Sequence, residues 1–158
     1  MSTVTYPSAV VPGPPRLQID LPPEWIQVWA PDTLIAVRED ASAADHFLAN
    51  LVVRHYQRVA PFGADEVLAE LGGYAADRQR GELGPLRRRE VDGRELLGAE
   101  VTFTDPQVGP VVQLHWFAPS PRGEVVDVLQ VTGSCAVSRR AQDEAVIDAV
   151  IDSMRINP

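Results

Sequence analysis

Three histidines, one cysteine and a few carboxylates are the residues of this chain whose types could support chemistry. They are His46, His55, His115, Cys135 and acidic residues such as Glu100 and Asp127. A tight metal site needs three or four ligands to converge, and the histidines show no His-x-x-x-His spacing that would begin one. His46 stands beside Asp45 in an irregular polar segment and reads as solvated. A single cysteine excludes an internal disulfide and a multi-cysteine metal cluster. Cys135 closes the apolar run ending Gly133-Ser134-Cys135-Ala136 and reads as a small buried residue. As a nucleophile it would need a lowered thiol pKa and a nearby histidine.

Acid–base work needs paired carboxylates, or a histidine held in a pocket. Glu100 and Asp127 could form such a pair only on adjacent strands in register, and they read instead as solvent-facing strand residues. No Gly-x-Ser-x-Gly elbow, phosphate-binding glycine loop or dinucleotide fingerprint is present. Gly72-Gly73 falls inside a helical pattern rather than between a strand and a helix. The sequence therefore predicts no catalytic residue, no metal and no cofactor.

These residues are carried by elements that the periodicity predicts. Met1 to Pro15, with four prolines, reads as a flexible segment, and 16–158 as one domain. Leu17, Ile19 and Leu21 alternate as in a half-buried strand over 16–21, and Pro22-Pro23 closes it. Short strands follow at 25–28 and 33–38, then a longer one over 50–59. From Ala64 to Arg80 the period changes: Val67, Leu68, Leu71, Tyr74 and Ala75 share one helical face. Asp65 and Glu66 at its start, with Arg78 and Arg80 at its end, suit the helix dipole. Four strands come next, at 86–91, 95–104, 111–117 and 124–132, the first two joined by an Asp92-Gly93 turn. In the third, His115 shares a face with Val111, Gln113 and Phe117, while Val112, Leu114 and Trp116 take the other. Ser138 is the expected N-cap of a last helix, Arg139 to about Met154. The fold class is α+β, with an antiparallel β-sheet packed against helices in the order ββββ-α-ββββ-α.

Composition narrows the partners. The chain of 158 residues carries a net charge of −8, and all 14 of its basic side chains are arginine. That balance speaks against nucleic acid, whose phosphates call for clustered positive charge, and against adsorption to an anionic membrane. No apolar run approaches the ~20 residues that span a bilayer, and no secretory signal is legible at the start, so a cytoplasmic location is expected. The arginine-only basic composition suits a GC-rich coding genome.

Three stretches resemble the PsbP-like fold. Leu21-Pro22-Pro23-Glu24-Trp25 looks like its Pro-x-x-Trp opening, and Phe47 to Val53 like the short lead into its long strand. Ile151 to Ile156 looks like the run-out of its terminal helix. Among PsbP-like families the actinobacterial LpqN-type lipoproteins are the most similar, over roughly Leu17 to Ile156. The resemblance implies a scaffold for protein contacts, with some bacterial members acting as chaperones for secreted effectors, and it brings no catalytic motif. LpqN-type proteins carry a signal and a lipid-attachment cysteine, which this sequence does not show.

The expected function is thus a non-enzymatic accessory protein that binds a protein partner, as adaptor or chaperone, with a link to secretion. The alternative is a small-molecule or lipid-binding module with an apolar pocket between sheet and helices. Partner contacts are expected from Trp29 and Phe62, as an apolar patch near Ala60-Pro61, and from Arg87 and Arg89 on one face of a strand. Arg88 would point to the other face, and as a plain solvated edge the arginine run would discourage edge-to-edge pairing. Trp25 and Trp116 are expected in the core. An exposed strand edge would also allow a homodimer.

Overall fold

The computed structural model describes residues 1–40 and 46–157. In chain order the elements are β1 (Leu17–Gln18), β2 (Trp25–Gln27), β3 (Ile35–Glu39), β4 (Asn50–Val59), α1 (Ala64–Ala76), β5 (Glu82–Leu83), β6 (Arg87–Val91), β7 (Arg94–Asp105), β8 (Gly109–Arg122), β9 (Val125–Ala136), α2 (Arg140–Asp152) and β10 (Arg155–Ile156). The class is α+β and the order is the expected one, with the two-residue strands β5 and β10 added. The main sheet runs β2-β3-β4-β9-β8-β7-β5, with β6 also paired to β7, and every pairing is antiparallel. β1 and β10 form a separate two-stranded ladder.

Period-two alternation sorts the long strands onto two faces. One face places Leu51, Val53, Val112, Leu114, Trp116, Leu129 and Val131 beneath α2, which contributes Ile147, Val150 and Ile151. The other places Leu97, Ala99, Val101, Phe117, Val126 and Val128 beneath Val67, Leu71 and Ala75 of α1. His115 and Phe117 share the α1 face, as the alternation requires. Gly133 permits the seat of α2, since a Cβ there would stand 2.3 Å from Ile147 Cγ2.

Several boundaries differ from the periodicity, each for a physical reason. The first strand shrinks to two residues because it pairs only with β10, while Ile19 and Leu21 still pack on the core. α1 stops at Ala76, not Arg80: the chain turns through Arg80 at φ 54° and sends β5 back to β7. Arg78 and Arg80 therefore lie beyond the helix. β8 runs on through Pro119 and Pro121, which read as a connection in sequence. Its pairing with β7 ends at Phe117, so the prolines face a free edge where no N–H is needed. Ser138 does not cap α2; it lies in a 3₁₀ turn, 137–139, and Arg139 takes the cap position without a side-chain bond.

Ahead of β1 there is no helix or strand, and Arg122 Nη1 donates to the Val10 carbonyl at 2.6 Å. Among the described residues no helix is long and apolar enough to cross a membrane.

Candidate functional site

α1 covers only part of its face of the sheet. Beyond its apolar contacts, the central strands present polar side chains: Asn50 and Arg54 from β4, Gln113 and His115 from β8, Gln130, Thr132 and Ser134 from β9. The ladder fixes their neighbours, with His115 opposite Thr132, Gln130 opposite Arg54, and Ser134 opposite both Asn50 and Gln113. Together with Glu70, Leu71 and Tyr74 of α1, and Arg78 just past it, they line a half-open hollow of about 480 Å³. That volume lies within the roughly 300–1,000 Å³ of small-molecule sites.

A chain of hydrogen bonds runs across its floor. The Tyr74 hydroxyl donates to Gln113 Oε1 at 2.8 Å, and His115 Nε2 lies 3.0 Å from the same oxygen. On the other side of the ring, Nδ1 receives Gln130 Nε2 at 3.3 Å and Thr132 Oγ1 at 3.2 Å. The Tyr56 hydroxyl donates to Gln130 Oε1 at 2.8 Å. Since an amide oxygen can only accept, Nε2 carries the imidazole proton and Nδ1 accepts. The ring, 4 % exposed, stands edge-on to Tyr74 with centroids 5.2 Å apart.

Burial, followed by the charges of Arg54 and Arg78, pushes His115 down to about 4, so it is neutral at physiological pH. Burial and Glu70 together raise the Tyr56 hydroxyl. Glu70, the one carboxylate lining the hollow, is taken by Arg58 at 2.7 Å. Among the described residues Arg54 and Arg78 have no carboxylate partner. Arg78 stacks over the Tyr74 ring at 4.0 Å from its centroid. In sequence it read as the basic end of a helix; in the structure it forms a wall of the hollow.

The other chemically capable residues are engaged elsewhere. Burial pushes the Cys135 thiol up to about 11, which leaves it protonated and inert. Glu100 and Asp127 are not neighbours. Glu100 sits opposite Leu114 and pairs with Arg140, while Asp127 lies opposite Ser120 and is gripped by Arg122 at 2.9 Å. His46 stands 3.6 Å from Glu39, and its sequence neighbour Asp45 falls outside the described residues. No cluster of three metal-ligating side chains occurs among the described residues.

The four expected contact residues do not share a surface. Trp29 is 87 % exposed just after the edge strand β2. Phe62 is buried, packed on Phe117 at a centroid distance of 5.9 Å, so it forms no patch with Trp29. Arg87 and Arg89 lie on β6, towards the opposite end of the sheet, both over the Trp116 ring at 5.7 and 5.1 Å. Arg89 reaches α2, where it pairs with Asp148 at 2.9 Å and with Asp152. Alternation had put these two arginines on one face, and so it is; Arg88 turns to the other face and meets Glu95 at 2.7 Å.

No family model matches the sequence, and no curated protein matches it. Solved structures do. LpqN of Mycobacterium tuberculosis, involved in cell envelope biogenesis, superposes with a TM-score of 0.72 at 12 % identity, over 93 % of this chain and 86 % of that one. The chain shares the fold of LpqN. PA94 of Pseudomonas aeruginosa, a protein of unknown function, gives 0.61 at 15 % identity, over 92 % and 99 %. At such identities the likeness is one of fold, so a function has to be argued from the site.

Proposed function

We propose that this chain is a non-catalytic accessory protein that works by binding, and that its binding site is the hollow between α1 and the sheet. The observation that carries the reading is the hydrogen-bonded floor of the hollow, in which His115 is held neutral. Thr132 and His115 have the contact of a nucleophile and its base, but a base this weak draws no proton from a threonine at neutral pH. No carboxylate orients the ring; the amide of Gln113 does. What remains is a rigid, shaped, polar surface with apolar side chains at its back, which suits recognition. The pocket foreseen between sheet and helices is thus polar-floored rather than apolar.

Native mass spectrometry of the protein purified from its own cells tests this. A small molecule retained by the wild type and lost from Gln113→Leu supports the reading. A bare chain from both overturns it.

A second reading keeps a protein partner, in an adaptor or chaperone role, and rests on the exposure of Trp29. One stoichiometric protein recovered by cross-linking, and lost on Trp29→Ala, would favour it.

A further inference from the structure

The hollow sorts its polar atoms by type, and this says what it would hold. Gln113 Oε1 is saturated by the Tyr74 hydroxyl and His115 Nε2, and Gln130 Oε1 accepts from Tyr56. His115 Nδ1 is likewise filled by Gln130 and Thr132. The acceptor atoms of Gln113 and His115 are therefore filled within the protein, while the amide N–H groups of Gln113 have no acceptor among the described residues. The charges are sorted too. Arg58 cancels Glu70, and Arg54 and Arg78 stand over the hollow with no carboxylate of their own. Their sign is opposite to the net charge of −8 on the whole chain. A guanidinium fork is the side chain best matched to a carboxylate or a phosphate. Val52 and the Tyr74 ring, both partly exposed, supply apolar lining beside these groups.

Resting on the reading of the hollow as a binding site, we infer that its ligand is an organic anion: a carboxylate or phosphate that meets Arg54, Arg78 and the Gln113 amide, on an apolar body that lies against Val52 and the Tyr74 ring. The two anions share one recognition chemistry, and the apolar lining favours an organic body over a bare inorganic ion.

The test is a ¹H–¹⁵N NMR titration of the full chain with phenylacetate, phenyl phosphate and neutral phenylacetamide. The expected result is that at least one anion shifts the amides of Gln113, His115, Gln130 and Thr132, and which of the two binds more tightly identifies the group. Phenylacetamide at the same concentration should leave them in place. Arg54→Gln and Arg78→Gln should each weaken the anion about tenfold, the scale of one lost charge-assisted contact, with unchanged spectra elsewhere certifying the fold. Equal shifts from phenylacetamide, or anion binding that survives both substitutions, would overturn the anionic assignment and leave a binding site. No shift in the hollow from any of the three overturns the assignment together with the reading it rests on.

Discussion

The Thr132 hydroxyl lies 3.2 Å from Nδ1 of His115, directly across the β8–β9 ladder. Sequence separation hides this contact, because the two residues meet only when the long hairpin closes in its particular register. The same register brings Gln130 to that nitrogen at 3.3 Å. It leaves Nε2 to donate to Gln113, so the ring is locked as one neutral tautomer.

His115 should therefore stay uncharged down to pH 5 and titrate near about 4. ¹⁵N ring shifts should show the Nε2–H tautomer at neutral pH; a Nδ1–H ring, or a midpoint near 6.5, would contradict the structure. The linkage has a definite sign. Below about 6.5 the unfolded chain takes up a proton that folded His115 refuses, so stability is complete above that pH and falls as pH drops towards about 4. The loss is on the order of 3 kcal/mol. In denaturant unfolding from pH 4 to 7, His115→Gln should lack this part of the wild-type slope.

Arg89 should be a stability residue. Its side chain is 16 % exposed and ties β6 to α2 through Asp148 and Asp152, over the face of Trp116. Arg89→Ala should cost about 1–3 kcal/mol in urea unfolding, because it strips charge-assisted bonds and ring packing together. Arg88→Ala, which loses one exposed pair with Glu95, should change stability by no more than about 0.5 kcal/mol. Equal effects would show that Arg89 is not the tie described.

Gly133→Ala tests the seat of α2. The added methyl would stand 2.3 Å from Ile147 Cγ2, and overpacking of this kind costs about 1–3 kcal/mol. Ile147→Leu moves the branch off Cβ, so the Cγ2 methyl is gone at equal side-chain volume, and should restore part of the loss in the double variant. A double variant no more stable than the sum of the two single changes would place the strain elsewhere.

Trp29 should be the solvent-accessible tryptophan. It is 87 % exposed, against 7 % for Trp25 and 4 % for Trp116. Acrylamide quenching should resolve one accessible class, absent from Trp29→Phe, while Trp29→Ala shifts stability by no more than about 0.5 kcal/mol. Quenching that persists in Trp29→Phe would mean that one of the other two is open to solvent.

The sequence alone determined whatever depends on local periodicity. Alternation placed His115 with Gln113 and Phe117, split Arg88 from Arg87 and Arg89, and marked the helix that begins at Ala64. The Asp92-Gly93 turn was legible because both residues need the left-handed backbone they adopt, at φ 52° and 74°. The α+β class followed from the order of such elements. Tertiary structure alone decided which strands lie side by side, and with that everything about the site. Gln130, Thr132 and Arg54 reach His115 through pairings between residues far apart in sequence. Phe62, an apolar residue beside a proline, read as surface; the packing of α1 on the sheet put it against Phe117. Arg78 reads as a helix end in sequence; in the structure it lies just past α1, over the Tyr74 ring four residues before it. Periodicity says which face a side chain occupies, but whether that face is covered depends on where the opposing helix lies, and α1 packs chiefly over β7, leaving the polar side chains of β4 and β9 beside it.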